Sequence, residues 1–269
     1  MSAATGSVGI DERAIVDPAA RIGRNVSVGP WSIVGPDVVV GDDCEIGPHV
    51  ILRGPTVLGR GNRIFQFSTV GEGSPAFAYQ GEPTTLTIGD RNVIREGVTI
   101  HRGLATDRSR TVIGSDNLFM AYVHIGHDCV IGDRIVMANN ASVAGHVSVG
   151  DEAVLSGYAG VPQFRSIGAY AFVGAMSLVT KDVPAYVTVD GNPAGAVGLN
   201  VERLRRLGLG DEVKKTLQDA YNTVYRRGLT LAEALRELQP IAAEVPEVAC
   251  FVGSIEASEH GIVRERRRQ

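Results

Sequence analysis

An aliphatic residue returns at every sixth position for most of this chain. Starting at Ile10, steps of six land on Val16, Ile22, Val28, Val34, Val40, Ile46, Leu52, Leu58, Ile64 and Val70. The phase survives to Ile88, Ile94 and Ile100 and then slips by one residue. It resumes at Ile113, Phe119, Ile125, Ile131, Met137, Val143, Val149, Leu155, Val161, Ile167, Val173 and Val179. Of these 26 positions, 24 are Ile, Val or Leu, which excludes chance. A six-residue period is neither that of a helix nor that of a plain alternating strand. It suits short flat strands joined by tight corners, with one aliphatic side chain pointing inward per strand. The next residue is often glycine, as at Gly23, Gly29, Gly41, Gly126 and Gly132, and small residues let a backbone turn. Three such units close a triangular coil, and coils stack about 4.8 Å apart. The span 10–184 therefore predicts about ten coils of a parallel β-helix.

Two segments break the phase. Residues 71–87 lack the repeat, and residues 101–112 carry the slip. A loop extruded from a rigid solenoid is a functional candidate; for the second, a tolerated surface insertion is the competing explanation. After Val183-Pro184 the composition turns charged and helix-like. Residues 211–227 place Val213, Leu217, Ala220, Tyr221, Val224 and Tyr225 on one stripe. Gly228 ends that helix, Thr230 to Glu233 form a capping box, and Pro246 opens a last helix near 247–257. The expected division is an N-terminal tail over 1–9, a β-helix over 10–196 with loops at 71–87 and 101–112, and a helical domain over 197–269.

A formal net charge of −4 gives no basic field for nucleic acid or an anionic membrane surface. Cys44, Cys129 and Cys250 are too few and too scattered for a disulfide framework, so a reducing, cytoplasmic setting is expected. Residues 1–13 lack the apolar core of a secretory signal, and no apolar run approaches the ~18 residues of a membrane span.

Polar groups concentrate in His124-Ile125-Gly126-His127-Asp128-Cys129. His146 follows His127 by 19 residues, Gln163 lies one coil further, and His101 about one coil before His124. Stacking would set four of the six histidines along one edge. Histidine is the usual general base for a hydroxyl, and Gly145 offers an uncovered N–H of the kind that holds an oxyanion. Three alternatives stay open at this point: packed or solvated histidines, a zinc ion held by three histidines between subunits, and a purely structural histidine ladder. Nothing argues for the depressed pKa that a nucleophilic Cys129 would need.

These segments resemble the UDP-N-acetylglucosamine O-acyltransferases of lipid A biosynthesis. The similarity is carried by Gly81-Glu82-Pro83-Thr84, Ile94-Arg95-Glu96, Thr99-Ile100-His101-Arg102-Gly103, Gly114-Ser115-Asp116-Asn117, the stretch from His124 to Cys129, Asn139-Asn140, Ala144-Gly145-His146, Lys181-Asp182-Val183-Pro184 and Asn200. The linked segments around Arg95 and His127 are the specific ones, since hexapeptides alone are shared by many acyltransferases. The resemblance implies a left-handed, all-β parallel β-helix with a C-terminal α-helical domain, and a cytoplasmic homotrimer with sites in the clefts between subunits. It implies transfer of a 3-hydroxyacyl group from acyl carrier protein to the 3-hydroxyl of the UDP-sugar, with no cofactor and no metal. His127 would be the general base, Asp128 would hold it, and the Gly145 N–H would receive the oxyanion. His124, His146 and Gln163 would line the substrate cleft, and Asn200 and Arg206 would contact the nucleotide. Ala175, followed by Met176, matches the floor of the acyl groove and implies a medium chain.

The departures concern the acceptor. The family's acidic residue and lysine in the first loop are Ala76 and Ala78 here, after Pro75, and its histidine before the glutamine-phenylalanine pair is Pro162. Lost polar contacts with a retained base suggest a different nucleotide-sugar acceptor as the alternative. A metal-dependent hydratase and a non-catalytic binding protein on the same fold are the others. Cations near the cleft for an acidic carrier protein are sought in Arg165, Lys181, Arg203, Arg205 and Arg206. The terminal Arg264, Arg266, Arg267 and Arg268 read as a solvated end.

Overall fold

The computed structural model describes residues 9–105 and 108–265. All but Gly9 of the expected tail lies outside the described residues, as do Arg266, Arg267 and Arg268. Within them, 27 strands of two to five residues form three sheets of 11, 8 and 8 strands. Every pairing is parallel except one hairpin, Val187–Asp190 against Gly195–Leu199, which closes the C-terminal end of the first sheet.

The sheets are the three faces of a prism, visited in turn by the chain. Val28 pairs in register with Ile46, one 18-residue coil away. Each repeat position from Val28 to Val179 is buried, at 0–3 % exposure. Stacked columns of aliphatic side chains thus form one continuous core, each buried residue contributing about 1.5–3 kcal/mol of transfer free energy. Ile10 is exposed, and Val16 and Ile22 are only half-buried, because the first coil has no coil beneath it among the described residues.

The corners differ from the expectation that glycine makes them. The left-handed residue of a corner comes three positions after the aliphatic one and is seldom glycine. Twenty non-glycine residues among those described have positive φ, including Trp31, Phe67, Asp128, His146 and Tyr158. Each carries a conformational cost of about 1–2 kcal/mol, which coil-to-coil hydrogen bonds offset. The glycines following the aliphatic positions answer a different need, close stacking. At Gly126, a Cβ would lie 2.7 Å from the Ala144 carbonyl carbon and the Gly145 nitrogen.

Both breaks in the repeat enter at the same edge, between the second and third faces. The first stretches a coil to 30 residues, pairing Leu58 with Ile88, and the second to 25, pairing Ile88 with Ile113. A buried asparagine ladder carries the register across them. Asn62 Oδ1 accepts from the Asn92 backbone N–H at 2.9 Å, Asn92 Oδ1 from the Asn117 N–H at 3.0 Å, and Asn117 Oδ1 from the Ile135 N–H at 2.7 Å.

After the hairpin come four helices: α1 (Val201–Arg206), α2 (Asp211–Tyr225), α3 (Leu231–Glu244) and α4 (Pro246–Glu256). The Thr230–Glu233 capping box is present at α3. Leu217, Ala220, Tyr221 and Val224 of the α2 stripe are buried. The short α1 has no counterpart in the sequence reading, since six residues give too little periodicity. Among the described residues, no helix is long and apolar enough to cross a membrane.

Candidate active site

Five consecutive coils meet at the edge between the second and third faces. The two inserted loops occupy the first two, and the next three corners carry His127-Asp128, Gly145-His146 and Gln163-Phe164. Each of these pairs stands two and three residues beyond its repeat position, so the period itself aligns them.

His127 and Asp128 are both buried. His127 Nδ1 lies 2.8 Å from Asp128 Oδ2. A carboxylate only accepts, so Nδ1 carries the proton, and in the neutral ring Nε2 presents the lone pair. The His127 ring lies against the backbone of Gly145, whose N–H has no hydrogen-bond acceptor among the described residues. His146 meets His127 edge-on at 4.8 Å between ring centroids and stacks on Phe164 at 4.4 Å.

The four histidines do not form one column. His101 and His124 make a separate pair, 5.4 Å apart, at the strands of the second face. His124 Nδ1 is 2.8 Å from the Thr99 hydroxyl, and burial, with lesser contributions from His101 and His127, holds its pKa below the ordinary value. His101 Nδ1 donates to the carbonyl of Gly73 at 2.8 Å, and Arg102 donates to the Tyr79 hydroxyl at 2.8 Å. The first loop is thereby tied to the histidine edge. Neither Ala76 nor Ala78 brings a polar side chain there, and Phe77 is wholly exposed. Gln163 is exposed at its corner.

Asn200 and Arg206 are elsewhere. They line a 480 Å³ cleft on the first face with Val136, Val154, Phe172 and Arg203, opposite the histidine edge. Asn200 caps α1, accepting from the Arg203 N–H at 3.1 Å and donating to the Tyr170 carbonyl at 2.9 Å. Ala175 and Met176 are exposed on a third site, the edge between the first and second faces. One chain therefore joins His124, His127, Asp128, Gly145, His146 and Gln163, and separates them from the nucleotide and acyl-groove candidates.

Most of the expected cations are already engaged. Arg203 is bonded to Glu152, Arg205 and Arg206 to Glu202, and Lys181 to the His260 carbonyl. Arg165 donates only to the neighbouring Phe164 carbonyl among the described residues and remains partly exposed.

Three residues absent from the sequence reading belong to this edge. The Leu104 N–H donates to Asp128 Oδ2 at 2.9 Å, and Arg108 to the Asp128 carbonyl at 3.3 Å. His260 arrives from beyond α4 and lines a 330 Å³ cleft with Arg108, His146 and Phe164. The phase slip marks the loop that holds Leu104 and Arg108, but only contacts far apart in sequence single out these residues, and no local signal marks His260.

His127, Asp128 and His146 place ligand-type atoms within 4.8 Å of one another. The closest of these atoms, Nδ1 and Oδ2, face each other at hydrogen-bonding distance, and Oδ2 also accepts from Leu104. That arrangement suits a proton between the two residues. Burial pushes the Cys129 thiol up to about 12, so it is a poor nucleophile.

Comparison with known proteins agrees along 95% of the chain. Residues 182–263 match the model of UDP N-acetylglucosamine O-acyltransferase domain 2, and residues 19–54 and 110–145 match bacterial transferase hexapeptide repeats. The acyl-[acyl-carrier-protein]–UDP-N-acetylglucosamine O-acyltransferase of Stutzerimonas stutzeri is 58% identical over 255 residues, covering 95% of this chain and 99% of the relative. The Ectopseudomonas mendocina protein of the same name is 59% identical over the same coverage. The structure of LpxA from Acinetobacter baumannii superposes with a TM-score of 0.92 at 44% identity, covering 95% of this chain and 99% of that one. The fold is thus a left-handed parallel β-helix with a helical C-terminus, and the chain belongs to the LpxA family, the acyl-[acyl-carrier-protein]–UDP-N-acetylglucosamine O-acyltransferases.

Proposed function

We infer that the chain transfers an acyl group from acyl carrier protein to the 3-hydroxyl of UDP-N-acetylglucosamine, the first step of lipid A biosynthesis, with His127 as general base. One observation carries the mechanism: a histidine fixed through Nδ1 by a buried carboxylate lies against Gly145, whose N–H has no acceptor among the described residues. His127 Nε2 removes the proton as the sugar hydroxyl attacks the thioester carbonyl carbon. The carbonyl oxygen becomes an oxyanion that accepts from the Gly145 N–H. Collapse reforms the carbonyl and breaks the carbon–sulfur bond, and the imidazolium returns the proton to the departing thiolate. The ester and the free carrier thiol balance the reaction, and no metal or covalent enzyme intermediate enters it.

His124, His146 and Gln163 line the acceptor side. Asn200, Arg206, Ala175 and Met176 complete the site from a neighbouring subunit, because one chain holds them away from His127. A homotrimer with three intersubunit clefts satisfies that requirement. The β-helix of residues 10–196 then supplies the chemistry, and the helical domain of 197–269 supplies the nucleotide contacts. Three free cysteines suit a cytoplasmic setting.

Ala76, Ala78 and Pro162 favour one second reading, the same chemistry on another UDP-sugar. An acyl-transfer assay with 3-hydroxyacyl carrier protein separates the two. Turnover of UDP-N-acetylglucosamine that falls about 10²–10⁴-fold in His127→Ala supports the main reading. Negligible turnover of that acceptor beside rapid turnover of a different UDP-sugar establishes the second. Unchanged activity of His127→Ala removes the general base.

A further inference from the structure

The second inserted loop reaches the base's partner from two directions. The N–H of the buried Leu104 donates to Asp128 Oδ2 at 2.9 Å, the same oxygen that faces His127. The Arg108 guanidinium donates to the Asp128 main-chain carbonyl at 3.3 Å. Asp128 needs such restraint for two reasons. It holds a left-handed φ of 58° without being glycine, and its other carboxylate oxygen, Oδ1, is buried with no hydrogen-bond partner among the described residues. A fully buried carboxylate with half its acceptors empty is costly. Left to itself, it would be free to rotate, and rotation would release the His127 ring.

We propose that the described residues of this loop, 101–105 and 108–112, are the positioning element of the His127–Asp128 pair, with the Leu104 N–H and Arg108 as its two contacts. This rests on His127 as the general base. The loop fixes the carboxylate in the rotamer that orients Nδ1–H, and Arg108 fixes the peptide plane from which that carboxylate hangs. Gly103 sets the approach. A side chain there would run into the backbone of Ser109 and Arg110, so the two limbs of the loop close tightly enough to present the Leu104 N–H. These described residues of the insertion then serve the catalytic pair. Arg108 and Leu104 are positioning residues, since both act through Asp128.

A double-mutant cycle tests this, using the full-length enzyme with both substrates. Arg108→Ala is expected to lower kcat about tenfold while moving either KM less than about twofold, with Arg108→Lys recovering most of the loss. Gly103→Ala, which displaces Leu104 instead, is expected to give the same pattern by a second route. In an Asp128→Asn background neither change should lower kcat by more than about twofold, because the group they act through is already disabled. Multiplicative losses in that background overturn the proposal, as would a raised KM with kcat intact, which would make Arg108 a substrate contact. Wild-type kcat in both single variants also overturns it. His127→Ala, run alongside, tests the general base independently: its full activity would refute that assignment whatever the cycle shows.

Discussion

Gly145 and His127 approach so closely that no side chain fits between them: a Cβ at position 145 would sit 2.5 Å from His127 Cε1 and 2.6 Å from Nε2. Gly145→Ala must therefore tilt the imidazole away from its partner while leaving the repeat intact. Misplacing a reacting group by about 1 Å costs on the order of 10²-fold. We expect kcat to fall by about that factor, with a thermal midpoint within a few degrees of wild type. A variant with wild-type kcat would show that the ring does not depend on this contact.

Cys129 lies beside the dyad and offers a sharp contrast. Its burial and raised pKa predict that the folded enzyme resists alkylation there at pH 8, as followed by mass spectrometry. Cys129→Ala removes a buried sulfur whose thiol donates to the Ala144 carbonyl at 3.2 Å. It should cost about 1 kcal/mol of stability and leave kcat within about threefold. A hundredfold loss would point to covalent catalysis.

His124 links the site to stability. Its pKa is lowered from the ordinary 6.5, chiefly by burial. Between the folded value and 6.5 the unfolded chain binds more protons than the folded one, so stability rises with pH across that window. Acidification from pH 7 should therefore destabilise the protein just below pH 6.5, and His124→Gln should flatten that part of the profile. Denaturant melts at half-unit pH intervals decide it. An unchanged slope in the variant would assign the pH dependence to another group.

Acceptor recognition can be tested by restoring charge. If the first loop holds the sugar and its phosphates, Ala76→Asp with Ala78→Lys adds charged hydrogen bonds of about 1.5–3 kcal/mol each. The KM for UDP-N-acetylglucosamine should then fall at least about tenfold. An unchanged KM would mean that the acceptor is held by other residues.

The acyl groove gives a length readout. Ala175→Gly deepens its proposed floor and should shift preference toward longer 3-hydroxyacyl donors in a competition assay. Unchanged preference would place the length limit elsewhere, with the exposed Met176 the next residue to vary.

Much of this molecule was legible in the sequence because a six-residue period fixes both which side chain is inside and which corner each residue occupies. The alignment of His127, Gly145 and Gln163 follows from that arithmetic alone. His101 also falls about one coil before His124, but a coil count does not show that this pair flanks Ile100 and Ile125 on the strands of the second face rather than standing in the corner column. The slip marks the loop of Leu104 and Arg108 but not these residues within it, and His260 goes unmarked: each reaches the edge from an irregular segment with no period to read. Glycine misled in the other direction. Its frequency suggested that it makes the turns, whereas stacking clearance demands it and residues such as Trp31 and Tyr158 take the strained φ.

Those left-handed corner residues have an evolutionary consequence. Because the corner geometry accepts Trp, His, Asp or Tyr alike, each edge of the prism can change its chemistry without changing the core. One edge stacks Trp31, His49 and Phe67. A second runs in ion pairs through Arg24, Asp42, Arg91 and Asp116, and the third bears His127 and His146. Selection can rewrite one edge for a new substrate while the other two stay as they are, which makes this scaffold modular along its length.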